Sequence, residues 1–134
     1  MTDWQQPLTV LLTQASGQST IHETIYEDRF GYAQDLNLMG ADIKVLSECL
    51  KENNRSACRF EGQNYNHSAI INGPRKLRGA NLEVRDLRSG IAHIIAALIA
   101  EGESVISGAE EIDRGYEKID ERLKKLGAEI CRIS

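Results

Sequence analysis

Asp3, Arg29, Arg88 and Arg114 are the residues of this chain whose type and placement suit chemistry. A loop carboxylate can take a proton from a substrate hydroxyl. An arginine offers a planar fork that grips a carboxylate or phosphate with paired hydrogen bonds. Arg29 and Arg114 stand where a strand hands over to a helix, and Arg88 stands at the mouth of another helix. Helix N-termini already favour anions, so three such arginines suit a small dianion. Each arginine also has an acid close by, Asp28, Asp86 and Asp113, and Asp3 stands at a helix start. Structural ion pairs and a capping carboxylate are therefore the competing readings.

The elements that must position these residues occur twice. Ala15-Ser16-Gly17 and Ser19-Thr20-Ile21 lead to Tyr26-Glu27-Asp28-Arg29-Phe30, then to Met39-Gly40-Ala41-Asp42-Ile43. Ala100-Glu101-Gly102 and Ser104-Val105-Ile106 lead to Ile112-Asp113-Arg114-Gly115-Tyr116, then to Leu126-Gly127-Ala128-Glu129-Ile130. Gly17 to Gly102 and Arg29 to Arg114 are both offsets of 85, and Gly40 to Gly127 is 87. Such units stack to share a core. Unit one is expected at about residues 3–46 with a polar loop at 47–66, and unit two at about 86–134.

Leu8, Leu11, Leu12 and Ala15 fall on one helical face, with Pro7 read as the first residue of that helix and Gly17 as its stop. Ile91, Ile94, Ile95 and Leu98 make a second stripe, and both stripes are expected to be buried. Shorter helices are expected at 32–39 and 116–126, each ended by a glycine. Strands are expected at 18–25, 41–46, 68–71, 80–84, 103–107 and 128–133. The pattern predicts an α/β (α+β) fold with helices packed on small mixed sheets.

At 134 residues and net charge −4 the chain is one domain at most, with no general attraction for nucleic acid or acidic lipid. Its most apolar stretch, 91–100, is too short to span a bilayer, and no signal peptide is visible. Three cysteines, Cys49, Cys58 and Cys131, without a CxxC pair fit a reducing compartment. Cys49, Cys58 and His67 match no zinc spacing, so no metal ligand is assigned. His22, His67 and His93 read as isolated, with His93 a hydrogen-bonded packing residue, and Glu23 reads as facing away from His22. Trp4 reads as a packing anchor or a stacking surface. No phosphate-cradling glycine loop and no Ser/His/Asp set is present in the sequence.

Thr2-Asp3-Trp4-Gln5-Gln6-Pro7, the run 22–30, Met39-Gly40-Ala41, Asp86-Leu87-Arg88, the run 97–102 and Ile112-Asp113-Arg114-Gly115-Tyr116 together resemble the enolpyruvyl transferase family over nearly the whole chain. Glu23-Thr24-Ile25-Tyr26-Glu27 and Asp113-Arg114-Gly115-Tyr116 resemble its UDP-N-acetylglucosamine branch more than its shikimate 3-phosphate branch. The loop at 47–66 is longer than in the best-known members.

The resemblance implies a two-domain enzyme built from repeated βαβαββ units, of which this chain is the C-terminal part of one incomplete domain. It implies transfer of the enolpyruvyl group of phosphoenolpyruvate to the 3-hydroxyl of UDP-N-acetylglucosamine in the cytoplasm, without a cofactor. That is the first committed step of bacterial peptidoglycan precursor synthesis. Asp3 resembles the proposed base for the sugar hydroxyl, and Ile25 a residue whose backbone contacts the nucleotide sugar. Arg29, Arg88 and Arg114 resemble arginines on the phosphoenolpyruvate side of the cleft. The family's reactive cysteine and phosphoenolpyruvate-contacting lysine have no counterpart here, and none of the three cysteines takes the reactive position. The expectation is a fragment or a shortened gene product, inactive alone, whose partners are the two substrates and the missing N-terminal portion of the same enzyme. The non-enzymatic alternative is a remnant that binds a partner or a nucleotide sugar.

Overall fold

The structure is a computed structural model that describes residues 2–50 and 58–133, so the middle of the 47–66 loop lies outside the described residues. A single 3-10 turn, Thr2–Trp4, leads into α1 (Gln5–Leu12). Pro7 is the third residue of α1 and not its first. This costs no hydrogen bond, because the first four N–H groups of a helix lack an internal acceptor. Strand β1 (Gly17–His22) follows, then α2 (Tyr32–Leu38), β2 (Asp42–Leu46) and β3 (Ser68–Gly73). The three strands form one antiparallel sheet in the order β1-β3-β2, with Ile71 of β3 opposite Ser19 and Ile43.

The second half begins with β4 (Asn81–Glu83), crosses over through α3 (Ser89–Ile99) and returns in β5 (Val105–Ser107). β4 and β5 are parallel, as a connection through a helix allows. Two short helices follow, α4 (Ala109–Asp113) and α5 (Ile119–Lys125). The expected strand at 128–133 is absent: that segment has no regular structure, and Arg132 ties it to Asp113 and Asp120. Among the described residues no helix is long and apolar enough to cross a membrane.

One core gathers Val10 of α1, Leu36 of α2, Ile43 and Ile71 of the sheet, and Ala92 and Ala96 of α3. The two alanines are fully buried, and their small side chains let α1 and α3 lie close together. A smaller cluster joins Val84, Ile94 and Ile112. Gly90 is packed against it so closely that a Cβ there would lie 2.5 Å from Ile112 Cγ1.

The leucine stripes are not where hydropathy puts them. α1 buries Gln5, Gln6, Thr9 and Val10, while Leu8 is 41% and Leu11 is 64% exposed. On α3, Ile94 is buried as expected, but Leu98 is 41% exposed. The inward face of α1 is polar because it meets a hydrogen-bonding network, described below. The paired glycines do match: Gly17 and Gly102 have φ of +103° and +88°, and Gly40 and Gly127 have +109° and +96°. Gly40 and Gly127 directly follow the caps of α2 and α5, where a positive φ comes cheaply only at glycine, whereas α1 already ends at Leu12 and Gly17 opens β1 instead of stopping the helix.

Candidate functional site

Glu23 organises the start of the chain. Its carboxylate is buried, and Oε2 accepts from Thr2 Oγ1 at 2.8 Å and from Gln5 Nε2 at 2.7 Å. Oε1 accepts from the Ile25 N–H at 2.9 Å. The network continues inward, where the Tyr32 hydroxyl donates to Gln5 Oε1 at 3.1 Å and meets Thr9 Oγ1 at 2.8 Å. Burial pushes the Tyr32 hydroxyl well above its ordinary pKa, so it stays a protonated donor. Buried polar groups tolerate this position because each has a partner. No side chain caps α1 at Trp4, so Glu23 is what fixes the turn that carries Asp3.

Asp3 projects from that turn, 72% exposed, towards two arginines. Arg88 Nε donates to Asp3 Oδ1 at 3.2 Å, and Arg29 Nη1 lies 3.9 Å from the same oxygen. Arg29 is the more enclosed cation, with only 13% of its side chain exposed. It also donates to Thr2 Oγ1 at 3.3 Å and lies over the Tyr26 ring at 3.9 Å. An enclosed guanidinium with one long ion pair and a cation–π contact keeps donors available to an incoming anion.

Arg29 and Arg88 line an open cleft of about 280 Å³ together with Gln6, Tyr32, Asp86 and Ser89. Gln6 Oε1 is buried and has no hydrogen-bond partner among the described residues. Gln6 lines the cleft, so rotation of its amide would bring this unpaired acceptor to a ligand N–H or O–H. Asp86 holds the other wall, accepting from the N–H groups of Arg88 and Ser89 at 3.0 Å each. Partial burial pushes the Asp86 carboxyl up, but the hydrogen bonds from Ser89 and Arg88 outweigh it and hold it below the usual range.

The other expected site residues are arranged differently. Arg114 is 70% exposed, donates to Glu111 Oε2 at 2.8 Å and is not among the residues lining this cleft. The adjacent Asp113 pairs with Arg132 instead. The Ile25 amide is committed to Glu23, and its carbonyl accepts from Arg59 Nη1 at 3.2 Å. A carbonyl has a second lone pair, so contact with a ligand remains open there. His93 is a packing residue as expected, bonded to Ser89 O at 2.9 Å and to Asp35 Oδ2 at 2.7 Å. Glu23 was missed because a lone glutamate in an extended run carries no sequence signal. A second grouping is tighter still: His22, Cys49, Cys58 and His67 meet at one end of the three-stranded sheet. His22 and His67 are thus not isolated, their ring centroids being 5.3 Å apart.

Residues 1–123 match the EPSP synthase family, described as 3-phosphoshikimate 1-carboxyvinyltransferase. The chain is 52% identical to UDP-N-acetylglucosamine 1-carboxyvinyltransferase of Protochlamydia amoebophila, over 97% of this chain and 27% of that protein. It is 47% identical to the enzyme of that name from Chlamydia abortus, over 100% of this chain and 30% of that one. Among solved structures, the enolpyruvyl transferase NikO from Streptomyces tendae superposes with a TM-score of 0.77 at 27% identity. That match covers 96% of this chain and 26% of NikO. The chain therefore spans roughly a quarter to a third of the length of the relatives it matches.

Proposed function

The chain belongs to the EPSP synthase family, and from that premise we propose that it forms one wall of an enolpyruvyl transferase cleft acting on phosphoenolpyruvate and UDP-N-acetylglucosamine. The observation that carries this reading is the convergence of Arg88 and Arg29 on Asp3 beside a cleft with an orphan acceptor, Gln6 Oε1. In the proposed step Asp3 takes the proton of the sugar 3-hydroxyl while that oxygen attacks C2 of phosphoenolpyruvate. Arg29, Arg88 and Arg114 offset the charge of its carboxylate and phosphate. The methylene carbon gains a proton from a group outside this chain, and the tetrahedral adduct then loses phosphate from C2 and a proton from the new methyl group, returned to a group outside this chain, to form the vinyl ether. The backbone at Ile25 contacts the nucleotide sugar. The reaction serves peptidoglycan precursor synthesis in the bacterial cytoplasm.

Two walls are needed to position the reactants and exclude water. Trp4, Leu8, Leu11 and Leu98 are exposed on the described residues, and the remainder of the enzyme is the proposed partner that covers them. The test is reconstitution. The purified chain alone should release no phosphate above background from the two substrates, and co-expression with the remainder of a relative's enzyme should restore release. Asp3→Asn in the restored pair should slow it by about 10²–10⁴-fold. Sustained turnover by the chain alone would overturn the proposal. Binding of UDP-N-acetylglucosamine with no restored turnover would favour the non-catalytic remnant.

A further inference from the structure

We propose that His22, Cys49, Cys58 and His67 form a closed, tetrahedral structural zinc site. One ligand atom from each of the four lies within 4.8 Å of all the others. Zinc bonds of about 2.0 Å to nitrogen and 2.3 Å to sulfur require ligand-to-ligand edges of about 3.3–3.8 Å. Two edges are already near that length: His22 Nε2 to Cys58 Sγ is 3.2 Å, and Cys49 Sγ to His67 Nε2 is 3.3 Å. The remaining edges need a contraction of about 1.5 Å at most.

The surroundings are those of a metal site. His67 is fully buried, and its Nδ1 sits 2.7 Å from the Tyr65 carbonyl. That carbonyl fixes the proton on Nδ1 and leaves the Nε2 lone pair facing the cluster, the orienting contact that metal-bound histidines use. Phe60, 1% exposed, covers His67 with its ring centroid 5.5 Å away. Two thiolates cancel the charge of Zn²⁺, so the complex is neutral and its burial costs little. Four protein ligands leave no open position, which marks a structural and not a catalytic ion. A tetrahedral S₂N₂ set favours zinc over magnesium or calcium.

The sheet sets the geometry. His22 ends β1, directly opposite Ser68, the residue after His67. The His67 N–H donates to Leu46 O at the end of β2. Cys49, Cys58 and His67 then follow one another at steps of nine residues. Neighbours of the ligands reach the substrate-side loop: Arg59 donates to Ile25 O, and the Asn66 N–H donates to Asp28 Oδ1 at 2.8 Å. The ion would therefore brace the loop that carries Ile25 and Arg29. The site stands independently of the proposed reaction.

The test uses the untagged protein at its natural length, isolated without chelator. Elemental analysis should find about one zinc per chain. Replacing zinc by Co²⁺ should give visible ligand-field bands and a near-ultraviolet thiolate-to-cobalt band in the unmutated protein. Cys58→Ser and His67→Asn should lose zinc to a competing chelator that the parent withstands, while Cys131→Ser should not. The proposal is overturned if the parent protein holds no zinc and gives no thiolate–cobalt band on titration. It is equally overturned if freshly isolated protein carries a Cys49–Cys58 disulfide whose reduction yields no metal binding.

Discussion

Arg88 Nε donates to Asp3 Oδ1 across 3.2 Å, joining residues 85 apart in the chain. Both side chains are half or more exposed, so the pair contributes only about 0–1 kcal/mol to stability. Its value is positional. In the reconstituted enzyme Asp3→Asn should lower kcat by about 10²–10⁴-fold, the range for a lost general base. The urea midpoint should barely move. A loss of stability matching the loss of rate would show that Asp3 serves the fold instead.

Glu23 predicts the opposite split. Glu23→Ala strands the buried Gln5 amide and the Ile25 N–H, each of which now donates to it. Unfolding by urea should show a loss of about 1.5–3 kcal/mol. Stability equal to the parent would remove Glu23 from its organising role.

Arg114 separates two readings by one measurement. In the reconstituted enzyme Arg114→Ala should weaken use of phosphoenolpyruvate by about 1.5–3 kcal/mol, read from kcat/KM. Glu111→Ala, which removes only the partner seen at 2.8 Å, should leave KM for phosphoenolpyruvate unchanged. An unchanged kcat/KM in Arg114→Ala would leave this arginine as a surface ion pair.

The contact between α1 and α3 is sensitive where it is dry. Ala96→Leu should cost about 1–3 kcal/mol by overpacking a fully buried position. Leu98→Ala, at a position 41% exposed in this chain, should cost less than about 1 kcal/mol. Thermal or urea unfolding of the two variants compares them directly.

Asp86 gives a pH signature. Its folded pKa lies below the ordinary 3.8, so the folded state binds fewer protons than the unfolded state as the carboxyl titrates. The stability it contributes is present above the unfolded value and is lost as pH falls through the folded one. Asp86→Asn should therefore be less stable by about 0.3–1 kcal/mol at neutral pH, the worth of a negative charge at a helix N-terminus. The gap should close as the pH is lowered through that range. A gap that stays constant down to acid pH would refute the role.

Periodicity and glycine placement made most elements legible, because a helical period and a left-handed C-cap are local properties. The buried face of α1 was not legible. Hydropathy ranks Leu8 and Leu11 above Gln5 and Thr9, but Glu23 and Tyr32 supply hydrogen bonds that let the polar side turn inward. The segment 128–133 has the composition of a strand yet, among the described residues, is held by ion pairs of Arg132 to Asp113 and Asp120 and not by a strand partner. The roles of Asp3, Arg29 and Arg88 rested on resemblance, since spacing alone allowed each arginine to pair with its sequence neighbour. The four-residue cluster escaped the spacing argument because His22 lies in β1, far upstream of Cys49, and only the sheet brings them together.

Cys49 and Cys58 place their sulfurs within 4.8 Å of each other, so two points nine residues apart in the chain meet beside the sheet. Doubling the length of such a closed stretch costs only about 0.6 kcal/mol. Lengthening the chain between the two cysteines should therefore cost little stability, which marks it as a place for insertion.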